Sequence, residues 1–167
     1  DANVASLKIE GRMKSLHYIA TVVSTYRSLI DTYEKEKKID DFKPFYNELM
    51  KAENRLTSHG YLEGLPGVNE QLYNHRSEKP SQLFIGLGID YDFETKIATI
   101  EQRNYFKLGS KIEVFNPSGK RFEFILEEMY DKDDQVLEIA RHPKQILKIK
   151  VNQEIEPYAM IRRSVWT

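Results

Sequence analysis

Leu83-Phe84-Ile85-Gly86-Leu87-Gly88-Ile89-Asp90-Tyr91 is the stretch whose reading decides the fold of the second half of the chain. Leu83, Ile85, Leu87, Ile89 and Tyr91 fall on every second position, the period of a strand whose alternate side chains line one face. Phe84 makes the opposite face partly apolar as well. Gly86 and Gly88 permit the strand to bend or another backbone to come close.

Working outward from this strand, turn chemistry recurs at short intervals. A turn at 92–95 leads to a strand at 96–102. A strand at 111–115 is joined through Asn116-Pro117-Ser118-Gly119 to one at 120–126. Asp131-Lys132-Asp133-Asp134 turns the chain into 135–140, and 146–151 and 158–163 supply the last two strands. Short strands broken by turn residues every eight to twelve positions predict a small antiparallel β-barrel over 81–167.

Upstream, 56–80 loses periodicity, and Thr57-Ser58-His59-Gly60, Gly64-Leu65-Pro66-Gly67 and Glu78-Lys79-Pro80 read as a linker. Before it, 14–38 carries Leu16, Ile19, Val23, Tyr26, Ile30 and Tyr33 three or four apart, which predicts an amphipathic helix. Ser15 is its candidate N-cap, and Lys35, Lys37 and Lys38 suit the negative end of its dipole. A second, shorter helix is expected at 42–54. Ahead of both, Ser6-Leu7-Lys8-Ile9-Glu10-Gly11-Arg12-Met13-Lys14 alternates like a strand and runs into a glycine and two basic residues, the pattern of a β-to-α junction. The fold class expected is α+β.

Composition narrows the function classes. The 167 residues carry 25 basic and 26 acidic side chains, a net charge of −1, and neither half departs from balance. No global positive field exists to recruit nucleic acid, so an RNA contact requires a local patch assembled by folding. Cysteine is absent, which removes disulfides, thiol nucleophiles and thiolate metal sites and suits a cytoplasmic protein. No apolar run approaches the roughly 20 residues that span a bilayer, and no partnership with a membrane is expected.

Two groups of residues carry candidate chemistry. Lys8, Glu10 and Arg12 lie two apart and can converge at the end of the first strand, where a carboxylate between two cations positions a substrate or an anion. Arg103, Asn104 and Tyr105 follow one strand end and Arg141 and His142 another. A basic and aromatic cluster at one rim of the barrel could grip RNA phosphates or stack a base. The structural alternative places Tyr105 and Phe106 in the core and pairs Arg103 with a neighbouring acid. The four histidines, His17, His59, His75 and His142, lack the spacing of a metal site, and 131–134 lacks the glycine and terminal glutamate of a calcium loop.

Four motifs also carry a family resemblance: the nonapeptide from Ser6 to Lys14, Ala98-Thr99-Ile100-Glu101-Gln102-Arg103-Asn104-Tyr105-Phe106, Arg141-His142-Pro143-Lys144-Gln145, and Met160-Ile161-Arg162-Arg163. In this order they resemble the C-terminal part of the collagenase-like peptidases, the unknown-mechanism peptidase family 32, and more particularly its tRNA uridine-hydroxylation branch. The resemblance implies that residues 1–55 are the end of a TIM-like domain whose larger N-terminal part lies outside this sequence. That missing domain would be the main partner of the long helix, leaving apolar helix surface exposed here or buried in an oligomer. It also implies a C-terminal barrel similar to the second domain of elongation factor Tu.

For function, the resemblance implies an accessory, substrate-binding region without activity of its own. Its substrate would be tRNA, or a collagen-like protein if the parent is a protease; a purely structural barrel is the third reading. Hydroxylating relatives imply an iron–sulfur cluster held by cysteines, which would sit in the missing N-terminal part. The implied binding residues are Lys8, Glu10, Arg12, Arg103, Asn104, Arg141 and His142.

Overall fold

A computed structural model describes residues 4–52, 61, 64–68 and 82–164. The chain divides into two units, Asp1–Lys79 and Pro80–Thr167.

In the first unit, helix α1 spans Leu16–Glu36 and α2 spans Lys43–Leu49. The Ser15 hydroxyl accepts the Tyr18 backbone N–H at 3.1 Å, capping α1 as its sequence predicts. At the other end Lys37 takes a left-handed conformation, φ 58°, and its N–H returns to the Tyr33 carbonyl. The buried stripe of α1 is not the apolar one. His17, Thr21, Val22 and Thr25 are buried, while Leu16, Ile19, Val23 and Tyr33 stay exposed. Burial of threonines is tolerable because the Thr25 hydroxyl donates to the Thr21 carbonyl at 2.7 Å within the helix. Helix α2 is shorter than expected, giving way to a turn over residues 50–52; residues 53 and 54 lie outside the described set.

The expected first strand is also corrected. Residues 4–10 join no ladder among the described residues, and Leu7 and Ile9 are exposed. A strand is defined by the neighbour that pairs its N–H and C=O groups, and none is present among the described residues. Gly11 closes a turn into α1 instead, with its carbonyl accepting the Lys14 N–H at 3.0 Å.

The second unit is antiparallel throughout. Its strands are β1 (Gln82–Asp92), β2 (Ile97–Gln102), β3 (Phe106–Lys107), β4 (Lys111–Phe115), β5 (Arg121–Ile125), β6 (Met129–Asp131), β7 (Ile139–Ala140), β8 (Ile146–Lys150) and β9 (Met160–Ser164). Seven of them form one sheet in the order β5-β4-β9-β1-β2-β8-β6, and β3 pairs with β7 apart from it. The order is open: no ladder joins β5 to β6 among the described residues. The predicted strand at 135–140 shrinks to β7, because only Ile139 and Ala140 find a partner ladder in β3.

Alternation does most of the sorting. On β2 Ala98, Ile100 and Gln102 are buried and their neighbours are not, and on β8 Leu147 and Ile149 are buried between partly exposed residues. With Ile85, Phe106, Ile112, Val114, Leu126, Met129 and Ile161 they form one core. β1 breaks the rule at Ile89, which is exposed. Gly88 faces Ile100 and Asp90 faces Thr99, so Ile89 is the extra residue of a β-bulge and is turned out of the core face.

The β1–β2 turn is held by Asp92, whose carboxylate accepts the N–H of Glu94 at 2.8 Å and of Thr95 at 3.3 Å. The Thr95 hydroxyl, followed by those two N–H groups, holds the Asp92 carboxyl below its ordinary value. A carboxyl lowered by folding contributes stability that is present above the unfolded-state pKa and lost as pH falls through the folded one. Unfolding curves collected from about pH 5 to about pH 2 are therefore expected to lose part of their acid dependence in Asp92→Asn.

Candidate nucleic-acid interface

The two basic loops predicted at a rim are brought side by side. The Gln102 N–H donates to the Gln145 carbonyl at 2.9 Å, and the Lys144 N–H donates to the Gln102 carbonyl at 2.7 Å. Four residues further along from Gln102, Phe106 pairs with Ala140 and Lys107 with Ile139. Residues 102–106 and 140–145 are thus clamped together at both ends, with Arg103, Asn104 and Tyr105 on one strand of the clamp and Arg141 and His142 on the other.

A third element anchors this loop pair to the sheet. The Arg163 guanidinium of β9 donates to the Tyr105 carbonyl at 3.4 Å. The carbonyl of Ile85, the extra residue where β1 bulges against β9, accepts the N–H groups of Arg103 at 2.8 Å and of Asn104 at 3.4 Å. Asn104 contributes its side chain too, accepting the Tyr105 N–H at 2.8 Å, while its carbonyl accepts from the buried Gln102 amide. The loop is rigid because its polar backbone groups are spoken for.

Electrostatically the rim differs from the balanced chain around it. Arg103, Lys107, Arg141, Lys144 and Arg163 bring five cations against one carboxylate, Glu101, in these segments. Arg103 is paired with that carboxylate at 2.7 Å, as the structural alternative expected. Arg141, His142 and Lys144 are exposed and have no ion-pair partner among the described residues. Phe106 is fully buried, whereas Tyr105 is 44 % exposed, so the two aromatic neighbours split between core and surface. Lys144 and Arg163 belong to the rim but were not among the expected binding residues. Lys144 lay within a quoted motif, and nothing in the sequence distinguishes Arg163 from Arg162.

In the first unit Lys8 and Glu10 line a cavity of about 410 Å³ together with Tyr18, Tyr26, Tyr46 and Met50. Arg12 is not among its lining residues, and its backbone N–H donates to the Glu10 carboxylate at 3.1 Å. A second cavity, about 550 Å³, lies within the sheet unit between Phe122, Phe124 and Ile125 of the β5 edge and Glu128 and Lys150 beside β6 and β8. There the Tyr130 hydroxyl donates to Glu128 at 2.6 Å, lowering the Glu128 pKa and raising its own.

Among the described residues no group of histidine, aspartate or glutamate side chains is arranged to hold a metal ion. The Asp131 carboxylate is instead turned onto the N–H groups of Asp133 and Gln135. His17 is buried in α1 near the Thr21 hydroxyl, and His59 and His75 lie outside the described residues. No described helix is long and apolar enough to cross a membrane.

A small antiparallel sheet domain with a cationic, aromatic rim is the class of module that the fold and the site define. The chain belongs to peptidase family U32: the model of the family matches residues 1–72, and the model of the Peptidase family U32 C-terminal domain matches residues 80–162. Among curated relatives, it is 42 % identical over 165 residues to the tRNA hydroxylation protein P1 of Bacillus subtilis. That match covers 98 % of this chain and 39 % of the relative. It is 30 % identical to the tRNA hydroxylation protein P of Escherichia coli, over 96 % of this chain and 35 % of that protein. The chain therefore spans less than two fifths of the length of these relatives. Among solved structures, the C-terminal domain of a U32-family protein of Geobacillus thermoleovorans is 45 % identical, over 48 % of this chain and 98 % of that one, with a TM-score of 0.47.

Proposed function

We propose that this chain is the C-terminal region of a protein acting in tRNA hydroxylation at uridine, and that its sheet unit is an accessory module that holds the RNA. The observation that carries this reading is the clamped loop pair, whose Arg103, Arg141 and Lys144, with Lys107 and Arg163 beside them, bring five cations against one acid, Glu101, in a chain with no net positive charge. The names of the curated relatives point to the same substrate. Arg103, Asn104, Arg141 and His142 are the binding residues, joined by Lys144 and Arg163.

The remaining parts fit around this. Residues 1–55 end a TIM-like catalytic domain, with Lys8, Glu10 and Arg12 near its substrate, and residues 56–80 link it to the sheet unit. The exposed Leu16, Ile19, Val23 and Tyr33 of α1 pack on the rest of that domain, or on a second copy when it is absent. The sheet curls toward a barrel of the elongation-factor-Tu second-domain kind, a reading supported by the cavity between the β5 edge and residues 127–128 and 150–153 next to β6 and β8. An iron–sulfur cluster does not fit this chain, which has no cysteine to hold one; any such cluster, and the oxidative chemistry it supports, belongs to the rest of the protein.

Titration of the chain with bulk tRNA and with gelatin at two salt concentrations tests the reading. Binding of tRNA is expected to weaken with salt, and Arg141→Ala to weaken it further and lower the salt slope by roughly one, as loss of one phosphate contact requires. Arg103→Ala should have the smaller effect, because Glu101 already holds part of its charge. Gelatin binding without tRNA binding would favour the protease reading instead.

A further inference from the structure

We infer that the rim takes an unpaired nucleotide rather than duplex RNA, and that Tyr105 is the platform on which its base stacks. The inference rests on the RNA-binding reading above and narrows it. Tyr105 is 44 % exposed beside a fully buried Phe106, and no other ring or cation covers its face among the described residues. Large aromatic surface left open to water is unfavourable, and a flexible side chain there would gain nothing from burial that ordering did not take back.

Here the backbone that carries the ring is already held, so less ordering remains to be done. The Tyr105 N–H is fixed by Asn104 Oδ1, its carbonyl by Arg163, and the flanking backbone by Ile85 and Gln102. An open aromatic on a held backbone, next to Arg103 and on a loop clamped to the one that carries Arg141, combines the two elements of single-strand binding, a stacking face and cations that track the backbone. A-form duplex offers the cations its phosphates but presents no base face to the ring, since its bases are stacked on one another. Tyr105 and Phe106 fall on opposite sides as successive residues of an extended segment do, and the ring left outside suits a base that is free to leave its stack.

Fluorescence titrations of the 167-residue chain with a single-stranded oligoribonucleotide carrying 2-aminopurine, and with a duplex RNA of equal length, test this. The single strand is expected to bind more tightly and to show quenching of the probe base. Tyr105→Leu should lose affinity for the single strand by roughly five- to a hundredfold and abolish the quenching, with the salt slope unchanged because no phosphate contact is lost. Tyr105→Phe keeps the ring and should keep both. If Tyr105→Leu binds the single strand as the parent chain does, or loses single-strand and duplex binding equally, the stacking assignment is overturned while RNA binding stands. Failure of the parent chain to bind either RNA would overturn both readings.

Discussion

Glu113→Ala is expected to destabilise the sheet unit by about 3–5 kcal/mol, the cost of leaving one member of a buried ion pair without the other. Glu113 on β4 and Arg162 on β9 are direct cross-strand partners. Their contact is bidentate, with Arg162 Nε donating to one carboxylate oxygen at 3.0 Å and Nη2 to the other at 2.7 Å. The arginine side chain is 0 % exposed and the glutamate 13 %. The guanidinium also lies 5.4 Å from the centre of the Phe115 ring, so its whole surroundings are protein. Removing the carboxylate takes the bidentate partner away from a buried guanidinium that cannot deprotonate.

Arg162→Met should cost less, because the glutamate it leaves behind keeps some access to solvent. Combining Arg162→Met with Glu113→Leu should recover much of the loss, since a well-packed apolar pair of similar volume is often as stable as a buried ion pair. Urea unfolding of the single and double variants, with the midpoint read at unchanged slope, checks the three values. Additive losses in the double variant would mean that the two residues act separately. The pair sits between the β4–β9 and β9–β1 ladders, so its loss should also speed amide exchange in β9.

Gly88→Ala is the second substitution with a large expected cost, about 3 kcal/mol, although it adds a single methyl group to a strand. A Cβ at this position would enter the van der Waals radius of the Glu156 carbonyl oxygen and lie 2.9 Å from Ile155 Cγ2 and 3.1 Å from Ala159 Cβ. The carbonyl belongs to backbone and Ile155 is fully buried, so neither can give way cheaply. The close approach is fixed by hydrogen bonds: Gly88 N–H donates to Ala159 and Tyr158 N–H donates to Gly88, both at 2.8 Å. Gly86→Ala serves as the control, its nearest contact being the Glu101 carbonyl at 3.3 Å, and should change stability by less than about 1 kcal/mol, since the entropy gained by replacing a glycine offsets the tighter contact. Thermal midpoints of the two variants, compared with the parent chain, separate a steric effect specific to Gly88 from a general loss of strand glycine.

The role of Gly88 was half legible in the sequence. A glycine inside an alternating strand announces a bend or a close approach. Only the fold shows that the 155–159 segment is what approaches, because that contact joins residues some 70 positions apart. Arg162 was not legible at all. Arg162 and Arg163 are the same residue type in adjacent positions, and only the fold shows that one pairs with Glu113 in the interior while the other reaches for the Tyr105 carbonyl.

Local physics fixed what depends on neighbours in the chain. Period-two alternation placed seven of the strands near their observed positions, and Ser15 capped α1, because burial periodicity and capping act within a few residues. The turns at Asp92 and Asp131 followed from side chains that reach their own backbone. Where a segment's partner lies far away in sequence, the pattern was silent or misleading. Residues 4–10 alternate like a strand and have no ladder, α1 buries threonines in place of its apolar stripe, and Ile89 is turned out by a bulge. The proposed interface is of the same kind. Each of its two loops carries its charges in plain view, but it is the hydrogen bonds between Gln102 and residues 144–145, and the short β3–β7 ladder, that make one surface of them.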